Sequence, residues 1–251
     1  MSGEAASRVD ITIPKAQQDL VEAVAATGQP IVVILKHGRA LELSGAVRQA
    51  PAILCTWFLG SESGNAIADI VFGDYAPQGR LPVSFPQASG QEPFYYDHRS
   101  TGRPLVKTSP GFKARYLEAT NEALYPFGHG LGYSRIEYGP TLVSASQLTR
   151  NATITVSAHV TNTGTRAQHE VAQLYIHDKV ASLTQPIRAL KGIQHLDLMP
   201  GESVVVEFIL TANDLAFVHS DFTNRAEAGP FDVWIAPSSS TGIPAALVLK
   251  D

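Results

Sequence analysis

The 251 residues leave room for one large domain or two ordinary ones. An apolar fraction of 44%, a charged fraction of 17% and a net charge of −4 describe a globular chain with no electrostatic pull toward nucleic acid. Apolar runs such as Ile31–Leu35 are far too short to span a membrane, so no membrane partner is expected. The start of the sequence has no charged stretch followed by an apolar core, so no signal peptide is encoded in it. The single cysteine, Cys55, cannot form an internal disulfide and reads as a buried, inert thiol, which leaves the redox compartment open.

In chain order, Pro14 suits the first position of a helix, where its missing N–H costs nothing. Gln17, Leu20, Val21 and Val24 recur at helical spacing, and Gly28 and Pro30 stop the helix. Ile31–Leu35 is an unbroken β-branched run, which suits a parallel strand covered on both faces. Ala52–Phe58 reads as a second such strand. Ser61 then offers a cap to a helix through Ala66, Ile67, Ile70 and Val71, closed by Gly73. A turn-rich loop over 74–80 leads to a short strand, Leu81–Phe85, bounded by prolines. Residues 1–96 therefore read as α/β. Two good strands and two helices cannot cover both faces of a parallel sheet. Either another chain completes that sheet, or the sequence begins partway through a domain.

Residues 97–137 show no sustained period of either kind and read as an interdomain connection. Tyr95, Tyr96, His98, Arg99 and Arg103 offer aromatic faces and forked donors, suited either to packing a seam or to lining a pocket. From 138 to 251 the period changes to two. Ile154, Val156, Ala158 and Val160 alternate with polar residues, as do Val204, Val206, Phe208 and Leu210, and Phe231, Val233 and Ile235. Val171–Ile176, Ala189–Leu196 and Ala246–Leu249 add further strands, with turns at 162–164 and 200–201. Such a series predicts an immunoglobulin- or fibronectin-like β-sandwich.

The chemistry-bearing patterns are mostly negative. The eight histidines are scattered, and His159, His169 and His177 read as surface residues of strands or turns, so no metal is expected. Gly60-Ser61-Glu62-Ser63-Gly64 puts Glu62 where a nucleophile elbow needs serine, and no phosphate-cradling Gly-Lys-Ser/Thr occurs. Glycoside chemistry needs two carboxylates flanking one bond, and spacing alone singles out no pair.

Taken as strings, the residues carry more. Ser2-Gly3-Glu4-Ala5-Ala6-Ser7-Arg8, Gly38-Arg39-Ala40-Leu41, 57–69 and 72–82 closely resemble the second domain of glycoside hydrolase family 3. Thr101-Gly102-Arg103-Pro104 and Tyr125–Ser134 continue the match. Val160–Gly164, Leu190-Lys191-Gly192 and Pro200-Gly201-Glu202 resemble the family's fibronectin type III-like domain. The likeness runs along essentially the whole chain and is strongest to bacterial periplasmic β-glucosidase-like members. Lys36-His37 and His129 stand where the family commonly carries other residues.

The resemblance implies the C-terminal part of an α/β sandwich domain followed by a fibronectin type III-like β-sandwich. It also implies a retaining, exo-acting glycosidase that acts on a β-linked oligosaccharide or glycoside without a cofactor. In that family a barrel domain supplies the aspartate nucleophile and the second domain supplies the acid/base glutamate, which lands on Glu4. The barrel and the first part of the α/β domain have no counterpart in these residues, so the chain alone is expected to be inactive. A periplasmic or secreted location and a homodimer are compatible with the family. The other open reading is a stand-alone carbohydrate-binding or protein-interaction module.

Overall fold

The structure is a computed structural model that describes residues 5–104 and 112–251. The chain divides into two compact units. The first comprises Met1–Tyr75, Val83–Phe94 and Tyr116–Tyr125; the second comprises Ala76–Pro82, Tyr95–Arg115 and Pro126–Asp251.

In the first unit, helix α1 spans Lys15–Ala25. Pro14 is its N-cap, one residue ahead of the expected position, and the Pro14 carbonyl accepts from the amides of Gln17 and Gln18. Strand β1 (Val32–Leu35) follows, then a short helix α2 (Gly45–Gln49), strand β2 (Ala52–Cys55) and helix α3 (Ser63–Phe72). The two strands pair in parallel with Val32 opposite Ala52 and Leu35 opposite Cys55.

Several expected boundaries move. β2 stops at Cys55 because the chain turns there: Thr56 donates from both its amide and its hydroxyl to the Leu35 carbonyl, and Trp57 adopts a φ of 52°. Ser61 does not cap α3. Glu62 holds that position, its carboxylate accepting from the Asn65 side chain at 2.6 Å. Gly73 ends the helix as expected, at a φ of 87° that a side chain would disfavour. Leu81–Phe85 forms no strand. Its flanking prolines remove donors, leaving isolated pairings of Leu81 with 128–129 and of Phe85 with Tyr125.

The unit's buried apolar residues include Ile11, Ile13, Leu35, Leu43, Val47 and Phe85. Neither α1 nor α3 contributes a buried residue. The expectation that β1 is covered on both faces is not met within this chain, where Val32 is 50% and Ile34 41% exposed. Among the described residues β1 has one strand partner, and two helices without buried residues cannot supply the missing layers.

The second unit is a β-sandwich. Short strands β3 (Ile136–Tyr138), β4 (Leu142–Val143) and β5 (Gln147–Thr149) precede the long β6 (Thr153–Asn162), β7 (Gln168–Asp178), β8 (Ala189–Leu198) and β9 (Ser203–Thr211). A two-strand ribbon, β10 (Phe217–Val218) with β11 (Asn224–Arg225), leads to β12 (Gly229–Ala236) and β13 (Ala245–Lys250). One sheet runs β5-β13-β12-β7-β8. In the other, β6 pairs with β9 on one side and with β3 and β4 on the other. The alternating residues Ile154, Val156, Ala158 and Val160 meet Leu174, Phe231, Val233, Ile235 and Leu247 in one core.

The sandwich also holds non-strand segments. Tyr96 stacks on Phe127 at 4.1 Å between ring centroids and its hydroxyl accepts from the Leu190 amide. It therefore packs against Tyr175 and Trp234. Tyr95, His98, Arg99 and Arg103 are exposed.

Candidate functional site

Glu4 lies outside the described residues, so the site is built from the segment that follows it. Ala5 adopts a φ of 56°, left-handed backbone that residues with a Cβ rarely occupy. Three residues on, the Arg8 carbonyl accepts from Arg39 Nη1 at 3.0 Å. Asp10 then makes the tight local turn typical of an aspartate two residues before a threonine. Its Oδ1 accepts from the Thr12 amide at 2.8 Å and from the Thr12 hydroxyl at 2.7 Å. Thr12 bridges in parallel to Glu42, and the Glu42 amide donates to the Ile11 carbonyl at 3.1 Å. Glu42 Oε2 in turn accepts from the Ser89 amide at 2.6 Å and from its hydroxyl.

This segment forms one wall of an open cavity of about 530 Å³, a size that accommodates one or two sugar rings. Arg8, Asp10, Lys36, Gly38, Arg39 and Phe58 are among its lining residues. Phe58 is 80% exposed and lies against Gly38, where an added Cβ would come within 2.4 Å of its ring. Forked donors, one ammonium and an aromatic face are the groups that hold hydroxyl oxygens and sugar rings.

Among the described residues, Asp10 is the only carboxylate in that lining. Hydrogen bonds from the Thr12 side chain and amide, with the Arg8 charge beyond them, hold its pKa below the ordinary aspartate value. It is ionised near neutral pH and cannot act as a proton donor there.

His37, which also lines the cavity, is otherwise buried, tilted against Trp57 at 4.5 Å and edge-on to Phe85 at 5.6 Å. Its Nδ1–H donates to the Arg39 carbonyl at 2.7 Å, because a carbonyl can only accept. Nε2 is then a bare acceptor, and among the described residues it finds no hydrogen-bond partner. Burial pushes the imidazole's pKa down and keeps it neutral.

From sequence, Asp10 and the Arg39–Arg8 tie went unnoticed, and His37 was marked only as a departure from the family, with no role. Asp10-x-Thr12 was a readable turn signal. A side chain reaching 31 residues back to a carbonyl leaves no trace in periodicity. Among the described residues, no group of three or more His, Cys, Asp or Glu side chains is arranged to hold a metal ion. On the sandwich, Asp197, His169 and His195 form a hydrogen-bonded row, and His177 is partly buried with Nδ1 bonded to the Pro186 carbonyl.

The profile of the glycosyl hydrolase family 3 C-terminal domain matches residues 1–133, and that of a fibronectin type III-like domain matches residues 170–239. A periplasmic beta-glucosidase of Salmonella typhimurium is 44% identical over 96% of this chain, which corresponds to 32% of that protein. A beta-xylosidase of Formosa agariphila is 36% identical over 94% of the chain and 32% of its own length. The beta-glucosidase of Listeria innocua, solved with glucose, superposes with a TM-score of 0.94 at 34% identity, covering 99% of this chain and 35% of that one. The chain thus spans about a third of the length of the relatives it matches. With more than half its residues inside the family's C-terminal domain profile, the chain belongs to glycosyl hydrolase family 3.

Proposed function

We propose that this chain is the C-terminal part of a retaining, exo-acting β-glycosidase, with Glu4 as acid/base and the nucleophile on a barrel domain outside these 251 residues. Glu4 protonates the departing glycosidic oxygen and later takes a proton from the attacking water. It faces a nucleophilic carboxylate about 5–5.5 Å away. The observation that carries this reading is the cavity lined by Arg8, Asp10 and Arg39. It offers donors and an aromatic face for a sugar, yet the one carboxylate among its described lining residues, Asp10, is held ionised. A proton donor must therefore come from elsewhere, and Glu4 is the carboxylate six residues upstream.

The exposed face of β1 supports the dependence on further protein, since Val32 and Ile34 lack a covering layer. The barrel domain is thus both partner and catalytic complement. β-Glucosides are the first substrate class to assay and β-xylosides the second, following the relatives' names. A periplasmic or secreted location follows the Salmonella protein's name in the same way.

The test is hydrolysis of aryl β-glucosides. The chain alone gives no turnover; joined to a family barrel it turns over, and Glu4→Gln then lowers the rate by about 100-fold or more on substrates with poor leaving groups. Turnover by the isolated chain, or an unimpaired Glu4→Gln enzyme, overturns the reading.

A further inference from the structure

We propose that His169 and His195 form a two-histidine site for a divalent transition-metal ion of the Zn²⁺ and Cu²⁺ class, a clip that ties the edge strand β8 to β7. The two strands pair antiparallel with His169 opposite Asp197 and Val171 opposite His195. Residues two apart on a strand share a face, so both histidines and Asp197 project from the same side of the sheet. β8 is the last strand of that sheet and has β7 as its one strand neighbour among the described residues. The His169 side chain is 18% exposed and His195 is exposed, which leaves the pair open to an ion from solvent.

The protons decide which nitrogens are free. A carboxylate oxygen accepts, so His169 donates from Nδ1 to Asp197 Oδ1 at 2.8 Å and carries a lone pair on Nε2. That nitrogen lies 2.9 Å from His195 Nδ1, which supplies the proton between them. A carboxylate behind one ring nitrogen, with the other nitrogen bare, is the arrangement that fixes metal-ligating histidines in orientation and tautomer. Two nitrogens that each bind one ion at about 2.0–2.1 Å can stand 2.9 Å apart, so ring rotations exchange the shared proton for a metal. His195 Nδ1 then gives its proton to water and takes one at Nε2, which keeps the ring neutral. Water fills the other coordination positions. Imidazole donors select Zn²⁺, Cu²⁺ and Ni²⁺ over the oxygen-seeking Mg²⁺ and Ca²⁺.

The experiment is calorimetric titration of Zn²⁺ into the 251-residue chain at about pH 7.5, where imidazoles can give up a lone pair to the metal. The parent binds one Zn²⁺ that His169→Ala and His195→Ala both lose, leaving only weak uptake by the scattered histidines. Asp197→Ala keeps the site and lowers its affinity by about 10-fold or more. Mg²⁺ in place of Zn²⁺ gives no binding heat.

An ion that binds the folded sandwich alone also stabilises it. Zn²⁺ therefore raises the urea midpoint of the sandwich, read by Trp234 in a Trp57→Phe background, and leaves that of His195→Ala in the same background where it was. A parent chain that binds no Zn²⁺, or a His195→Ala chain that binds it as tightly and in the same ratio, overturns the site. Binding without a shift of the parent's midpoint overturns the clip between β7 and β8. Unchanged affinity in Asp197→Ala overturns the orienting part given to the carboxylate.

Discussion

Arg80 and Glu170, 90 residues apart in sequence, meet as an ion pair at 2.6 Å with side chains only 9% and 5% exposed. The pair is also hydrogen-bonded around its rim. Tyr138 donates its hydroxyl to the second carboxylate oxygen at 2.9 Å, and Arg80 Nη1 donates to the Gln78 and Gly79 carbonyls at 3.2 and 3.1 Å. Burial and the neighbouring Glu170 charge push the Tyr138 phenol's pKa far above its ordinary value, so it remains a donor. This pair belongs to the β-sandwich and secures the 76–82 segment on it, together with Gly128, whose φ of 80° lets its amide reach the Leu81 carbonyl at 2.8 Å.

Breaking one side of this pair leaves the other charge buried. Arg80→Met or Glu170→Gln is expected to destabilise the sandwich by about 3–5 kcal/mol, whereas Tyr138→Phe loses one bond to a charged acceptor, about 1.5–3 kcal/mol. The double variant Arg80→Met/Glu170→Leu recovers much of the loss, because neither charge is then left alone. Urea unfolding of the four proteins reads this out. A double variant no more stable than either single one contradicts the account.

The uncovered face of β1 makes a second, opposite prediction. Val32→Thr and Ile34→Thr change residues already 50% and 41% exposed, and surface substitutions of this kind move stability by about 0.5 kcal/mol or less. Phe85→Ala, at a fully buried ring in the same unit, costs about 3–5 kcal/mol. In the isolated chain the amides of Val32–Leu35 exchange quickly, and they become protected once the barrel and the rest of the α/β domain are joined. Strong protection of β1 in the isolated chain speaks for an autonomous module instead.

What could be read from sequence follows from how far each signal reaches along the chain. The alternation in Ile154–Val160 and Val204–Leu210 runs over seven consecutive residues in each case, and it located β6 and β9. The β-branched run before Leu35 located β1, and the shortage of strands around it anticipated the bare face seen at Val32 and Ile34. Helix α2 and the two- and three-residue strands β3, β4, β10 and β11 are too short to complete two periods of their pattern, so nothing local announced them. The site was less legible still. Glu4, which rests on resemblance, lies outside the described residues, while Asp10, His37 and Arg39 are placed by bonds to backbone carbonyls and amides, which side-chain identity does not encode.

His37 gives the last prediction, a dependence of stability on pH. In the unfolded chain its imidazole titrates near its ordinary value of about 6.5; in the folded chain burial depresses that value, against a smaller upward push from the bond to the Arg39 carbonyl. Between the two, the unfolded chain binds more protons than the folded one. Stability is therefore full above about pH 6.5, falls as the pH drops through that value, and stops falling once the folded pKa is reached. His129, whose pKa is also lowered by burial and by the Arg80 charge, adds a change of the same sign in the other unit. His37→Asn removes one of these contributions while keeping an amide donor for the Arg39 carbonyl. Unfolding midpoints at about pH 7.5 and about pH 5.5 should therefore differ less in His37→Asn than in the parent chain. The difference should be confined to the first unit, read by the fluorescence of Trp57, which touches the His37 ring, in a Trp234→Phe background. Equal pH sensitivity in both proteins means that a protonated His37 is tolerated, so the bare Nε2 lies in a wetter place than its enclosure by Trp57 and Phe85 implies.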